Sequence, residues 1–213
     1  IEVRANRMVR AGGRAGNMGG STGFAFFRPP LDPAAPNAEA RDVRVVANWI
    51  EGSDAAVAFV GCVGCLAAHN TIVDPTRWVL RILQETRTGN GYTFEPARDG
   101  VFANNLVVFR AGVVRTTVNV GDATAPETFR FAHNLWYAAD DPSRSAPQLP
   151  VGETGAVVGR DPRLGPDGAI DAASPAARAG RRLADGRDPR GDLAGACYAD
   201  PPAIGAREAP GGP

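Results

Sequence analysis

Arg81 and Arg115 fall eleven and ten residues after Asn70 and Asn105, and Ala58 falls ten after Asn48. On strands, that matched spacing puts the three residues at neighbouring heights. Alternation then sets direction: with Leu80 and Ile82 turned inward, Arg81 points out, and with Val114, Thr116 and Val118 inward, Arg115, Thr117 and Asn119 point out. Two outward guanidiniums suit the gripping of carboxylates, because each presents a planar fork of donors; the competing reading is two solvated arginines among 23. Glu85 follows Arg81 closely, with Glu95 and Asp99 in the same stretch. They offer an acid pair of the kind hydrolytic chemistry uses, against plain solvated loop charge.

Other chemistry-bearing residues are more local. His69 and His133 each precede an Asn and read as a structural array with Asn104 between them. Cys62 and Cys65 form a Cys-x-x-Cys pair without the second pair or spaced histidines that zinc requires. Burial as small core residues is one reading for them, and a disulfide involving Cys197 is the other. Asp140 with Asp141, and Asp185 with Asp188, are only fragments of the converging oxygen set that calcium needs. No metal ligands are therefore assigned; calcium is the one cofactor left possible. Trp49, Trp78 and Trp136 could stack on sugar rings, although Trp136 falls on the inward parity.

The elements that would position these groups are repeated. A phrase of small and apolar residues, then Asn, any residue and a bulky apolar residue ends at Asn48, Asn70, Asn105 and Asn134, with a weaker copy at Asn6. The unit is about twenty-two residues with insertions at one place, the signature of stacked repeats that cannot bury their apolar faces singly. Val, Ile, Phe, Thr and Asn in short runs broken by Gly, Asp and Pro favour strands over a helical repeat. Asn tolerates left-handed backbone angles and can turn each corner, and amides repeated at one corner can stack into a ladder. Unrelated hairpin turns are the rival, but the one Asn-Gly pair is Asn90-Gly91, inside an insertion. Strands are expected at 18–27, 56–60, 78–83 and 113–120. Residues 1–140 then form the coils, and the Pro-, Gly-, Ala- and Arg-rich residues 141–213 form an irregular cap over the last coil, with disorder of the tail as its rival.

Composition narrows the partners. The 213 residues carry balanced charge, which argues against a nucleic-acid surface, and no apolar run approaches the ~20 residues of a membrane helix. Every basic residue is Arg, so no lysine can act as base or nucleophile. Arg, Ala, Gly and Pro richness suggests a GC-rich bacterial genome, and an opening on Ile1 suggests that earlier coils and a targeting segment precede it.

Three-strand coils with an Asn corner resemble the right-handed parallel β-helix of the pectate lyase-like superfamily. The tail segments Asp161-Pro162-Arg163-Leu164, Ser174-Pro175-Ala176 and Ala203-Ile204-Gly205-Ala206-Arg207-Glu208 are similar to the closing segment of many secreted bacterial β-helix proteins. The resemblance implies an all-β solenoid, secretion or cell-surface display, and an acidic polysaccharide lying along the strand set 56–60, 78–83 and 113–120. It also implies roles: Arg81 and Arg115 as carboxylate-binding or catalytic groups for β-elimination, with Asn119, Trp78 and Glu85 contacting substrate. Glycoside hydrolysis by loop carboxylates, or a non-catalytic carbohydrate-binding or structural module, are the alternatives. Oligomeric state is left open.

Overall fold

Short runs of Val, Ile, Leu, Phe and Ala, each stopped by Gly, Asp, Asn or Pro, become strands that return repeatedly to the same three sheets. The first circuit is β1 (Glu2–Arg4), β2 (Arg7–Val9) and β3 (Arg14–Gly19), with β4 (Ala40–Arg41) after a long insertion. The second is β5 (Arg44–Val46), β6 (Trp49–Glu51), β7 (Ala55–Val60) and β8 (Cys62–Val63). The third is β9 (Leu66–Ala68), β10 (Thr71–Val73) and β11 (Trp78–Leu83); the fourth is β12 (Val101–Ala103), β13 (Leu106–Phe109) and β14 (Val118–Val120). Then come β15 (Arg130–Ala132) and β16 (Leu135–Ala138), and finally β17 (Glu153–Thr154) and β18 (Val157–Val158). This computed structural model describes residues 1–20, 23–165 and 167–210, with Asp185 by its backbone alone.

All pairings between these strands are parallel. The first sheet runs β1-β5-β9-β12-β15-β17, the second β2-β6-β10-β13-β16-β18 and the third β3-β7-β11-β14. The protein is thus all-β with parallel sheets, and pairing continues through residue 158, beyond the boundary expected at 140. Inward residues stack in register: Val45, Ala67, Phe102 and Phe131 from the first sheet, Ile50, Ile72, Val107 and Trp136 from the second, Val57, Leu80 and Val118 from the third. The insertions at 20–39, 84–100 and 121–129 all lie between a third-sheet strand and the next first-sheet strand, where the repeat placed them.

The corner asparagines form a continuous column. The backbone N and Nδ2 of each donate to Oδ1 of the next: Asn6 to Asn48 (2.9 and 3.1 Å), Asn48 to Asn70 (3.1 and 3.0 Å), Asn70 to Asn105 (3.0 and 2.9 Å), and Asn105 to Asn134 (2.8 and 3.0 Å). The second Nδ2 hydrogen bonds a carbonyl of the preceding circuit, for instance Asn70 to Val45 and Asn105 to Ala67. Glu153 ends the column, its Oε1 accepting from Asn134 N and Nδ2 (2.9 and 2.7 Å) and its Oε2 from Trp136 Nε1 (2.8 Å). The aligned amides all point their N–H groups at this carboxylate, as a helix points its first N–H groups at an anion. Burial raises the Glu153 pKa, against the pull of its donors Asn134 and Trp136.

Several expectations are corrected. The left-handed residue at each corner is not the Asn but the one before it: Ala5, Ala47, His69, Asn104 and His133, at φ 52–55°, and Gly155 at φ 68°. The Asn side chain is committed to the column, so the turn itself is made one residue earlier. The strand expected over 18–27 begins at Arg14 and ends at Gly19; Ser21 and Thr22 lie outside the described residues, and Phe24–Phe26 is a 3-10 turn. Cys62 and Cys65 are joined as a disulfide, Cα to Cα 6.1 Å, and Cys197 is free and exposed.

The start of the tail packs at the end of the stack, Leu149 and Val151 against the main core and Gln148 N on Thr117 Oγ1 (2.7 Å), and the rest lies along its side. Ile170, Ala176, Ala203 and Ile204 pack on Leu106 and Leu135, outward residues of the second sheet, and Leu183 packs on the outer face of the first. Ala206 N donates to Thr71 Oγ1 (2.8 Å), and Arg44 Nη2 donates to Arg187 O (2.6 Å). The tail is a strap running back along the side of the stack, because outward Leu106, Leu135, Thr71 and Trp49 leave an apolar flank to cover.

Candidate functional site

The outer face of the third sheet carries the row Asn17, Ala58, Arg81, Asn119, set by direct register. Arg81 Nε donates to Asn119 Oδ1 (2.9 Å), and its guanidinium lies 4.3 Å from the centroid of the Trp78 ring, over which Arg77 also lies at 4.0 Å. Arg14 from β3 reaches the same face and pairs with Glu85. Three of the expected residues, Trp78, Glu85 and Asn119, are therefore gathered around Arg81.

Arg115 is not among them. It precedes β14, exposed, and the register partner of Arg81 is Asn119. Between β13 and β14 the N–H groups of Val113 and Val114 both return to Arg110 O (2.9 and 2.8 Å), so a turn consumes residues that the count from Asn105 assigned to strand. The expected cation pair is replaced by a cluster the spacing did not reveal, Arg14, Arg77 and Arg81. Arg77 is adjacent to Trp78 in sequence and could have been noticed; Arg14 reaches Glu85 across 71 positions and could not.

Among the described residues, the guanidiniums of Arg14, Arg77 and Arg81 gather around the carboxylate of Glu85. Partial burial, then the Arg14 charge, lowers the Arg81 pKa, with Glu85 opposing and Arg77 adding to the fall. The group stays cationic near neutrality but is short of compensating charge.

The remaining carboxylates are otherwise engaged. Glu95 bonds Arg41 and Arg98, and although burial works the other way these partners hold its pKa below the usual value. That is the reverse of what a general acid requires. Asp99 pairs with Arg98. Asp140 accepts from Gly112 N (2.8 Å) and Ala111 N (2.6 Å), which lowers its pKa, and Asp141 caps the turn at Ser143. Asp188 accepts from Leu183 N (3.1 Å); the Asp185 side chain lies outside the described residues. Among the described residues no group of three or more His, Cys, Asp or Glu is arranged to hold a metal ion, and no helix is long and apolar enough to cross a membrane. Trp136 is fully buried against Phe102, and Trp49 is covered by the strap at Gly168, leaving Trp78 as the partly open indole.

His69 and His133 do form one outer column with Asn104. Asn104 Nδ2 lies 2.9 Å from His69 Nε2 and donates to Arg181 O (2.7 Å), while Arg181 N donates back to Asn104 Oδ1 (3.0 Å). Buried His69 thus anchors the strap, a structural task.

No protein-family model matches the chain, and no curated protein matches it in sequence, so the geometry carries the functional argument alone.

Proposed function

We propose that the chain is a right-handed parallel β-helix, a solenoid of the pectate lyase-like kind, whose third-sheet face binds an acidic polysaccharide. Cyclic return to three parallel sheets supports the solenoid, and the strong right-handed preference of parallel crossovers supports its hand. The observation carrying the ligand class is Arg81, oriented by Asn119 and Trp78 and crowded by Arg14 and Arg77 against the single carboxylate of Glu85. A uronate carboxylate placed there supplies the missing negative charge, while Trp78, stacked with Arg77 and Arg81, holds those guanidiniums on the face. Secretion or surface display accords with the Cys62–Cys65 disulfide, since such bonds persist in oxidising compartments.

Binding without cleavage is the form favoured here, because Arg115 lies outside the row and the loop acids are paired to arginines. In Arg81→Ala, affinity for polygalacturonate or alginate is expected to fall about tenfold, roughly 1.4 kcal/mol, while Arg115→Ala stays within about twofold. Chelation of calcium should leave affinity unchanged, since guanidiniums make the contact. Isothermal titration at two salt concentrations measures all three. Equal binding by wild type and Arg81→Ala would overturn the assignment, and a rise in unsaturated-uronate absorbance on incubation would replace binding by elimination.

A further inference from the structure

A second, separate cationic site lies on the other side of the stack. Between the outer face of the first sheet and the strap at 181–184 is a cavity of about 320 Å³, lined by Arg130, Arg181, Arg182, His133, Asn104 and Thr154 among its polar residues. We propose that this cavity binds a tetrahedral oxyanion, phosphate or sulfate, free or as an ester.

Three features build the site. The Arg181 backbone is pinned by its two hydrogen bonds to Asn104, itself 1% exposed, so the strap holds Arg181 and Arg182 beside Arg130 of β15. Arg182 is steadied further by its bond to Tyr198 O (3.0 Å). Among the described residues none of the three guanidiniums has a carboxylate within ion-pair distance, and no acidic residue lines the cavity. His133 is held in place as well, its ring packed so closely over Gly155 that a Cβ there would approach within 2.4 Å.

Burial, and then the charge of Arg181, lower the His133 pKa, so the imidazole is neutral at pH 7 and offers one N–H to an anion. The charged groups around it are Arg181 from the strap and Arg130 from its own strand; Glu153 of β17 is turned to the asparagine column. A bound dianion reverses the local field and draws a proton onto His133. Three arginines around one cavity, none with a carboxylate within ion-pair distance, match a doubly charged oxyanion better than a single carboxylate.

The chain has two histidines, so proton–carbon NMR of the full protein resolves the site directly. Titration with sodium sulfate or inorganic phosphate, against sodium chloride at matched ionic strength, is expected to shift His133 saturably and raise its pKa while buried His69 stays put. Arg130→Gln with Arg181→Gln should weaken binding at least about tenfold; the strap bonds of Arg181 are made by its backbone and survive. Arg81→Ala should change nothing, which separates this site from the third-sheet face. A sulfated disaccharide binding more tightly than inorganic sulfate identifies an ester as the source, and tighter inorganic phosphate identifies the free ion. A response equal to that of chloride, or one indifferent to the arginine substitutions, overturns the proposal.

Discussion

Replacing Asn105 by Ala removes a fully buried link of the amide column. Its Oδ1 accepts from Asn70 N (3.0 Å) and Nδ2 (2.9 Å), and its Nδ2 donates to Ala67 O (3.0 Å) and Asn134 Oδ1 (3.0 Å). The substitution strands the Asn70 backbone N–H and one Asn70 amide hydrogen, while the Ala67 carbonyl still faces β12 in the parallel ladder and Asn134 Oδ1 keeps the Asn105 N–H at 2.8 Å. At about 1–2 kcal/mol for each stranded buried group, the loss is about 2–4 kcal/mol, a large part of a domain's usual ~5–15 kcal/mol. Asn6→Ala is the control. Its side chain is exposed and gives up bonds to Arg4 O and Asn48 Oδ1 that water can replace, so it should cost less than about 1 kcal/mol. Urea unfolding followed by tryptophan fluorescence, with unchanged m-values, gives both numbers. If the two substitutions cost the same, the column is incidental to stability.

Three further outcomes are expected. Burial raises the Glu153 pKa above 4.5, so its contribution is fully present below pH 4.5 and is lost as pH rises through the folded value; Glu153→Gln should flatten this limb of a pH–stability curve. Burial lowers the His69 pKa below 6.5, against the raising influence of Asp188, Ala203 and Glu208. Stability from that neutral imidazole is therefore complete above pH 6.5 and falls with pH towards the folded pKa, by up to about 1.4 kcal/mol per pH unit. Because protonated Nε2 would oppose the Asn104 amide, hydrogen exchange should show the strap loosening first, and His69→Asn should remove the slope. Loss of the disulfide in Cys62→Ala with Cys65→Ala should cost about 2 kcal/mol by chain entropy, the closed loop being short, measurable as a lowered urea midpoint.

The parallel pairing was legible because one polar residue type recurred in one apolar setting. Asn48, Asn70, Asn105 and Asn134 announce the column, and the insertions fall where the interrupted spacing put them. The left-handed corner was also written there, in Ala47, His69, Asn104 and His133, none of them β-branched, but the more conspicuous Asn drew the assignment. Glu153 was hidden because it replaces an amide by a carboxylate after the repeat phrase has faded. Arg115 was misplaced because counting from Asn105 assumed turns of equal length, whereas β10 to β11 spans Val73 to Trp78 and β13 to β14 spans Phe109 to Val118. Arg14 beside Glu85, and the strap against the second sheet, join positions too distant for any local pattern.

A stack whose layers touched only their neighbours could fray from either end, one layer at a time. Here Arg187 reaches Arg44 across 143 positions and Ala206 reaches Thr71 across 135, so residues made late in this stretch fasten layers made well before them. During synthesis the flank of those layers must therefore stay wet until the strap, 135 positions beyond Thr71, has left the ribosome. Once the fastening is made, loss of any one layer must also break it, which ties the fate of the early layers to that of the late ones.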